Sequence, residues 1–197
     1  MFRDDAGQVI DIARIEFAEQ RIAETHVRPD DVVLELGARY GTVTAKIQSK
    51  LARKELHVAV EPDVRVLQAL RNNLQEHGCC PVVFDGIVSK RPGVVEGDGY
   101  GTLVRLGASG RPCPSKTVQE LEAEIGAKFT VLIADCEGCV GPFLEDFPEL
   151  LDQLRLVHFE TDPGYNQTNY EQVKEKLEQH GFREAEHDGW QWVFVKG

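Results

Sequence analysis

Acidic side chains recur in this 197-residue chain wherever an apolar run stops. Glu35 stands just before the turn Gly37-Ala38-Arg39-Tyr40-Gly41, and Glu61 follows the apolar residues 56–60. Asp85 follows residues 81–84, Asp135 closes residues 129–134, and Glu160 closes residues 154–159. A carboxylate at the end of the second strand of a nucleotide-binding unit accepts hydrogen bonds from the two hydroxyls of a ribose. Glu61 lies 26 positions after Glu35, about the length of one helix plus one strand. That spacing and the following Pro62-Asp63 favour ribose binding over a surface carboxylate. Gly37 and Gly41 let the backbone turn sharply and approach a ligand, because no Cβ intervenes. Ligands of open α/β sheets bind beyond the carboxyl ends of central strands, where such a turn sits.

These positions require a parallel sheet with helical crossovers. Residues 32–36 are almost entirely apolar, which suits a strand covered on both faces. Val43, Ile47 and Leu51 then form one helical stripe. Leu67, Leu70 and Leu74 form the next, ending at Gly78. Upstream, residues 8–25 read as a helix carrying Ile12, Ile15 and Ile22, packed on the sheet or over the ligand end. Arg28-Pro29-Asp30-Asp31 is a turn into the first strand. A third strand is expected over residues 81–89. Residues 90–116 break the rhythm with glycines and prolines. They predict a small hairpin with Tyr100 near its tip, either shaping a substrate pocket or inserted on the surface. Thr117-x-x-Glu120 and Thr168-x-x-Glu171 are capping boxes, the second opening a helix with Tyr170, Val173 and Leu177. Residues 129–135 and 154–160 supply two more strands, delivering Asp135, His158 and Glu160 to the edge that holds Gly37. Pro142 suits the first turn of a helix carrying Phe143, Leu144 and Phe147. Residues 182–195 form an antiparallel hairpin turning at Asp188-Gly189.

Length fits one domain with a substantial core, residues 1–197, with 1–27 as an N-terminal helical segment and 90–116 as an insertion. The formal net charge of −11 suits neither a nucleic-acid partner nor an anionic membrane surface. No apolar run is long enough to span a bilayer. Asp4 and Asp5 near the start, with no signal-peptide core, point to a cytoplasmic setting. Five cysteines without a secretion signal are expected to be reduced, with Cys136 and Cys139 as buried structural thiols rather than a zinc or redox pair.

The spacing G-x-x-x-G after an acid, rather than G-x-G-x-x-G, resembles the first motif of class I methyltransferases that use S-adenosylmethionine (SAM). Those enzymes also close their sheet with a terminal antiparallel hairpin. A closer resemblance lies in Asp135-Cys136-Glu137-Gly138, Phe143-Leu144, Pro148-Glu149-Leu150-Leu151 and Val157-His158-Phe159-Glu160, together with Gly37-Ala38 and Glu61-Pro62. These look like the FkbM-type methyltransferases, across about residues 28–162. The fold implied is a Rossmann-like α/β sandwich with a mostly parallel seven-stranded sheet and helices on both faces. The resemblance implies that residues 37–41 cradle the amino-acid part of SAM, with Glu35 near its ammonium group. Glu61 and Pro62 would lie at the ribose and Asp85 and Gly86 at the adenine, and Asp135 would help to anchor SAM. The chain departs from the family pattern in having Glu35 for Asp, Arg39 for Asn and Val140 for Glu.

The implied activity is O-methylation of a sugar or another small polar acceptor. Methyl transfer from a sulfonium needs the acceptor oxygen in line and a base for its proton. His158 or Asp135 is the expected base, with Glu137 and Glu160 orienting these groups or the acceptor. Asp135, Glu137, Glu160 and Asp162 also offer hard oxygen ligands that suit Mg²⁺, although no metal ligand is assigned. Competing readings are an inactive methyltransferase-like binding subunit and a nicotinamide enzyme. The oligomeric state is not readable.

Overall fold

The site-bearing centre is three fully buried strands of four residues each, and the rest of the chain packs around them. The computed structural model describes residues 1–110, 112–162, 164 and 167–197. A bridged turn pairing Arg3 with Val9 precedes α1 (Phe17–His26). Then come β1 (Val33–Leu36), α2 (Thr42–Lys50), β2 (His57–Val60), α3 (Leu67–Glu76) and β3 (Val82–Phe84). Outside the main sheet lie β4 (Ile87–Val88), β5 (Gly93–Glu96), β6 (Leu103–Leu106) and β7 (Ser115–Lys116). The chain continues through α4 (Val118–Ile125), β8 (Val131–Ala134), α5 (Val140–Asp146), β9 (Leu156–Glu160), α6 (Tyr170–Gln179), β10 (Phe182–Asp188) and β11 (Gln191–Lys196).

The seven-stranded sheet has the order β10-β11-β9-β8-β1-β2-β3. Its centre is parallel, and β11 runs antiparallel to both β9 and β10. Side-chain alternation divides the core in two. Val33, Val131, Ile133, Leu156 and Val193 face α1 and α2, where Ile22, Val43 and Ile47 are buried. Leu34, Leu36, Leu132, Val157, Phe159 and Phe194 face α4, α5 and α6. The strand order reverses between β1 and β8, so the helices that follow them leave on opposite faces and open a crevice at their carboxyl ends. The expected mostly parallel sheet, its terminal hairpin and the helices on both faces are all present.

Several local expectations are corrected. The first helix starts at Phe17, not at residue 8, because residue 16 takes a left-handed backbone (φ 53°). The Gln20 amide donates to the carbonyls of Ile12 and Ile15, holding the preceding residues as turns. Ile12 is consequently exposed rather than part of one stripe with Ile22. The expected strand over residues 81–89 is broken at Asp85-Gly86, after which β4 pairs with β7 instead of β2. A Cβ at Gly86 would lie 2.3 Å from the Pro114 carbonyl oxygen. The box at Thr117 forms in full, whereas the one at Thr168 does not. Asn169 caps α6, and the Thr168 hydroxyl accepts from the Gly141 N–H across the loop. Cys136 and Cys139 form a disulfide rather than two free thiols, because the turn after β8 brings their Cα atoms to 5.4 Å.

Gly37 sits at φ +91°, and a Cβ there would lie 1.7 Å from the backbone oxygen of Asp135. Neither atom is the end of a flexible side chain. Gly37→Ala is therefore expected to destabilise the fold by about 3 kcal/mol or more, lowering Tm by roughly 6–12 °C in thermal denaturation.

Candidate active site

A cavity of about 400 Å³ opens at the carboxyl ends of β1, β2, β8 and β9. Gly37 and Arg39 come from the turn after β1, Glu61 and Pro62 from the end of β2, and Asp135 and Glu137 from the end of β8. Glu160 ends β9, and Gly86 lies before β4. The hairpin of β5 and β6 forms one wall through Tyr100, Leu103, Val104 and Leu106. The stretch before α1 and its first turn form another through Ile15, Glu16 and Glu19.

The glycine turn is held by backbone geometry. The N–H groups of Gly37 and Ala38 both donate to the Val60 carbonyl, tying it to β2. Glu61 is buried, and its two oxygens accept from the N–H groups of Arg39 (2.8 Å) and Asp63 (2.7 Å). A carboxylate has about four acceptor positions, so Glu61 keeps two for a ligand. Burial pushes its carboxyl up to about 7.

Glu16, Glu19, Glu61, Asp135, Glu137, Asp146, Glu160 and Asp162 give the cavity eight carboxyl groups against the guanidinium groups of Arg14 and Arg39. Burial raises Glu16 to about 7 and Glu137 to about 8, the latter reinforced by the neighbouring Asp162 charge. Asp135 is held well above its ordinary range, by burial first and then by the charge of the neighbouring Glu160. Burial also raises Glu19, Glu160 and Asp162. One oxygen each from Glu19, Asp135 and Glu160 lies within 4.8 Å of the others. The oxygen cluster among the described residues thus joins Asp135 and Glu160 to Glu19, not to the expected Glu137 and Asp162. Glu137 itself is in the left-handed region (φ 47°), beside the disulfide and Gly138.

Six expected site residues stand away from the cavity. Glu35 points to the α2 face of β1, where its Oε2 accepts from Thr44 (2.8 Å) and His57 (2.9 Å). The Gln48 amide donates to the other nitrogen of that imidazole, closing a buried polar network. Asp85 is half exposed and paired with Arg71 at 2.7 Å. Ala38 and Gly41 pack toward α3, and the Tyr40 hydroxyl donates to Asp5 at 2.6 Å. His158 is buried one turn of the pleat below Glu160, and its Nε2–H donates to the Gln191 side chain at 2.6 Å. Burial depresses it to about 4. The Gln191 amide in turn donates to Glu19 at 2.6 Å. Glu16 and Glu19 were missed because the segment before the first strand carries no motif. The run of acids at 16 and 19 beside the apolar Ile15 is their only trace in the sequence. Residues 163, 165 and 166, between Asp162 and Gln167 of the cavity lining, lie outside the described residues.

No protein-family model matches the chain, and no curated protein does. Solved structures do match. The precorrin-6y C5,15-methyltransferase of Geobacter metallireducens aligns with a TM-score of 0.57 at 13% identity, covering 100% of this chain and 94% of that one. Magnesium protoporphyrin IX methyltransferase from Synechocystis, solved with bound SAM, aligns at 0.54 and 13% identity, covering 97% and 86%. A Streptococcus pneumoniae protein described as a tRNA (m1A22) methyltransferase aligns at 0.53 and 14%, covering 90% and 68%. The fold is that of the class I methyltransferases. Among the described residues no helix is long and apolar enough to cross a membrane.

Raised carboxyls make the protein's stability fall with rising pH. Glu16, Glu61 and Glu137 bind protons more tightly folded than unfolded, so their contribution is complete below about 4.5 and is lost as pH passes 7 to 8. His158 works the other way, costing stability as pH falls from 6.5 toward 4. Between pH 6.5 and 8.5 only the carboxyls act. The Tm is expected to drop across that window in a thermal-shift titration, and Glu137→Gln should flatten the slope.

Proposed function

We propose that this chain transfers the methyl group of SAM to a hydroxyl of a small polar acceptor, with a sugar or glycan as the leading class. The observation that carries the reading is one cavity joining the glycine turn, Glu61 and Asp135 at the switch point of a methyltransferase fold. The FkbM-like residues at 135–138 and 157–160 support the hydroxyl acceptor over the substrates of the structural neighbours.

The residues fit the cofactor. The two remaining acceptor positions of Glu61 suit the ribose hydroxyls. Gly86, Ile87, Val88 and Phe143 offer an apolar slot for a planar base. The carboxyls of Asp135, Glu137 and Glu160 suit positive charge, because a bound cation offsets the burial and mutual repulsion that raise their proton affinity. When bound, SAM supplies a methyl group on a cationic sulfur, which a weak oxygen nucleophile can take. Asp135 is the proposed base, and Glu160 beside it stabilises the proton that Asp135 receives. His158 is not assigned that task, since the imidazole lies beneath the cavity wall and bonds to Gln191. The acid-rich lining and the net charge of −11 weigh against a polyphosphate acceptor.

Calorimetric titration tests the cofactor. SAM should bind saturably and NAD should not, and Glu61→Ala should weaken SAM by roughly 10- to 100-fold. With labelled SAM and a panel of sugars, Asp135→Asn should lower kcat by about 10²-fold or more. Binding of NAD in place of SAM, or full turnover by Asp135→Asn, would sink the respective assignment.

A further inference from the structure

Cys136 and Cys139 stand on either side of Glu137 and Gly138, and their disulfide forms part of the cavity lining. Both cysteines are only partly buried, packed against the core on one side and lining the cavity on the other. A small thiol reagent that enters the cavity therefore meets the bridge directly. The backbone it closes is a four-residue turn. The Cα atoms of Cys136 and Cys139 are 5.4 Å apart, and the Cys139 N–H donates to the Cys136 carbonyl at 3.2 Å. Both residues between them have positive φ, 47° at Glu137 and 82° at Gly138. A turn of that form calls for glycine, asparagine or aspartate at its first central position. Glutamate has neither the missing Cβ nor the short polar side chain that eases this region.

A residue held in such a conformation persists only where its surroundings over-determine it. Beyond the bridge, the Gly138 N–H donates to the Asp162 carboxylate at 3.1 Å. The Thr168 hydroxyl donates to the Gly138 carbonyl and accepts from the Gly141 N–H at 2.9 Å. Asp162 lines the cavity, so this turn carries a second acidic side chain of the wall besides Glu137. The same turn lies against the glycine turn after β1, with the Cys136 Cα 3.7 Å from where a Gly37 Cβ would sit. Closing a loop this short constrains little of the unfolded chain, so the effect of the bridge is local. Once the two sulfurs part, hydrogen bonds open to competing water are left to hold the left-handed glutamate.

We propose that the Cys136–Cys139 disulfide is a reducible clasp on the cavity: closed, it holds Glu137 and, through Gly138, Asp162 in the ligand-binding wall, and reduction to two thiols loosens that wall. The reductant is a dithiol. Its thiolate attacks one protein sulfur, which breaks the Cys136–Cys139 bond and forms a mixed disulfide. Its second thiol then displaces that sulfur. The reductant leaves as a cyclic disulfide, and two electrons and two protons have passed to Cys136 and Cys139. Glutathione disulfide runs the exchange in the other direction, leaving as two glutathione thiols. The clasp goes beyond the SAM reading and does not require it.

Hydrogen exchange on the full chain, read by mass spectrometry, tests the clasp. Alkylation after quenching in denaturant should count three thiols, Cys79, Cys80 and Cys113, in the oxidised chain, and five once dithiothreitol has acted on the folded one. Exchange over residues 136–141 should then quicken by about tenfold or more, while α3 keeps its rate. Glutathione disulfide should restore both the thiol count and the slow exchange. The double variant Cys136→Ser/Cys139→Ser should exchange like the reduced chain with or without reductant. Should that variant fail to fold, the reduced wild-type chain supplies the same comparison. In calorimetry, SAM should bind the reduced chain about tenfold more weakly than the oxidised one. A bridge that resists dithiothreitol in the folded protein, unchanged exchange over 136–141 after reduction, or equal SAM affinity in the two states overturns the proposal. If neither state binds SAM, the SAM reading falls and the exchange result alone decides the clasp.

Discussion

No atom fits between Gly37 and the backbone oxygen of Asp135, and the geometry of the whole site follows from that approach. The carboxyl ends of β1 and β8 converge where the strand order reverses, and only a residue without a Cβ lets the chain leave β1 there. The turn then rests on the Val60 carbonyl at the end of β2, which brings Glu61 under the Arg39 N–H. Glu61, Arg39 and Asp135 are therefore set relative to one another by backbone contacts, not by flexible side-chain pairing. A preorganised arrangement of this kind costs little to maintain when a ligand arrives.

Charge is the second constraint. Carboxyls from the turn before α1 and from the ends of β2, β8 and β9 crowd one cavity, and water is too scarce there to keep all of them ionised. Their raised proton affinities follow from this crowding. Such a lining favours a cationic ligand, as the proposed SAM is. Below the cavity, Glu19 bonds through Gln191 to His158, so the acidic wall is braced from within the sheet.

Two segments outside the sheet complete the enclosure. The hairpin of β5 and β6 brings an apolar wall and Tyr100, and the residue before α1 and its first turn bring Glu16 and Glu19. Neither belongs to the regular alternation of strand and helix. Both differ in kind from the glycine turn, since each is held by a few side-chain anchors, such as Arg65 on Gly97 and Gln20 on Ile12 and Ile15.

Most of the sheet, the helices behind it and the glycine turn were legible in the residues, because apolar periodicity and glycine spacing act over a few positions. Apolar strands at 32–36, 129–134 and 154–159 and the hairpin turn at Asp188-Gly189 all form close to where their patterns place them. Which way each acid faces was not legible. Glu35 and Glu61 both sit near a strand end in the sequence. The pleat sends the first into a buried network with Thr44 and His57, and the second into the cavity. His158 and Glu160 lie on the same face of β9, yet only the latter lies beyond the packed edge. The disulfide of Cys136 and Cys139, and the reach of Glu19 from α1 to Asp135, depend on how segments far apart in the chain are stacked. Local pattern decides where strands and turns begin. Face, depth and long-range approach are decided only when the layers close on one another.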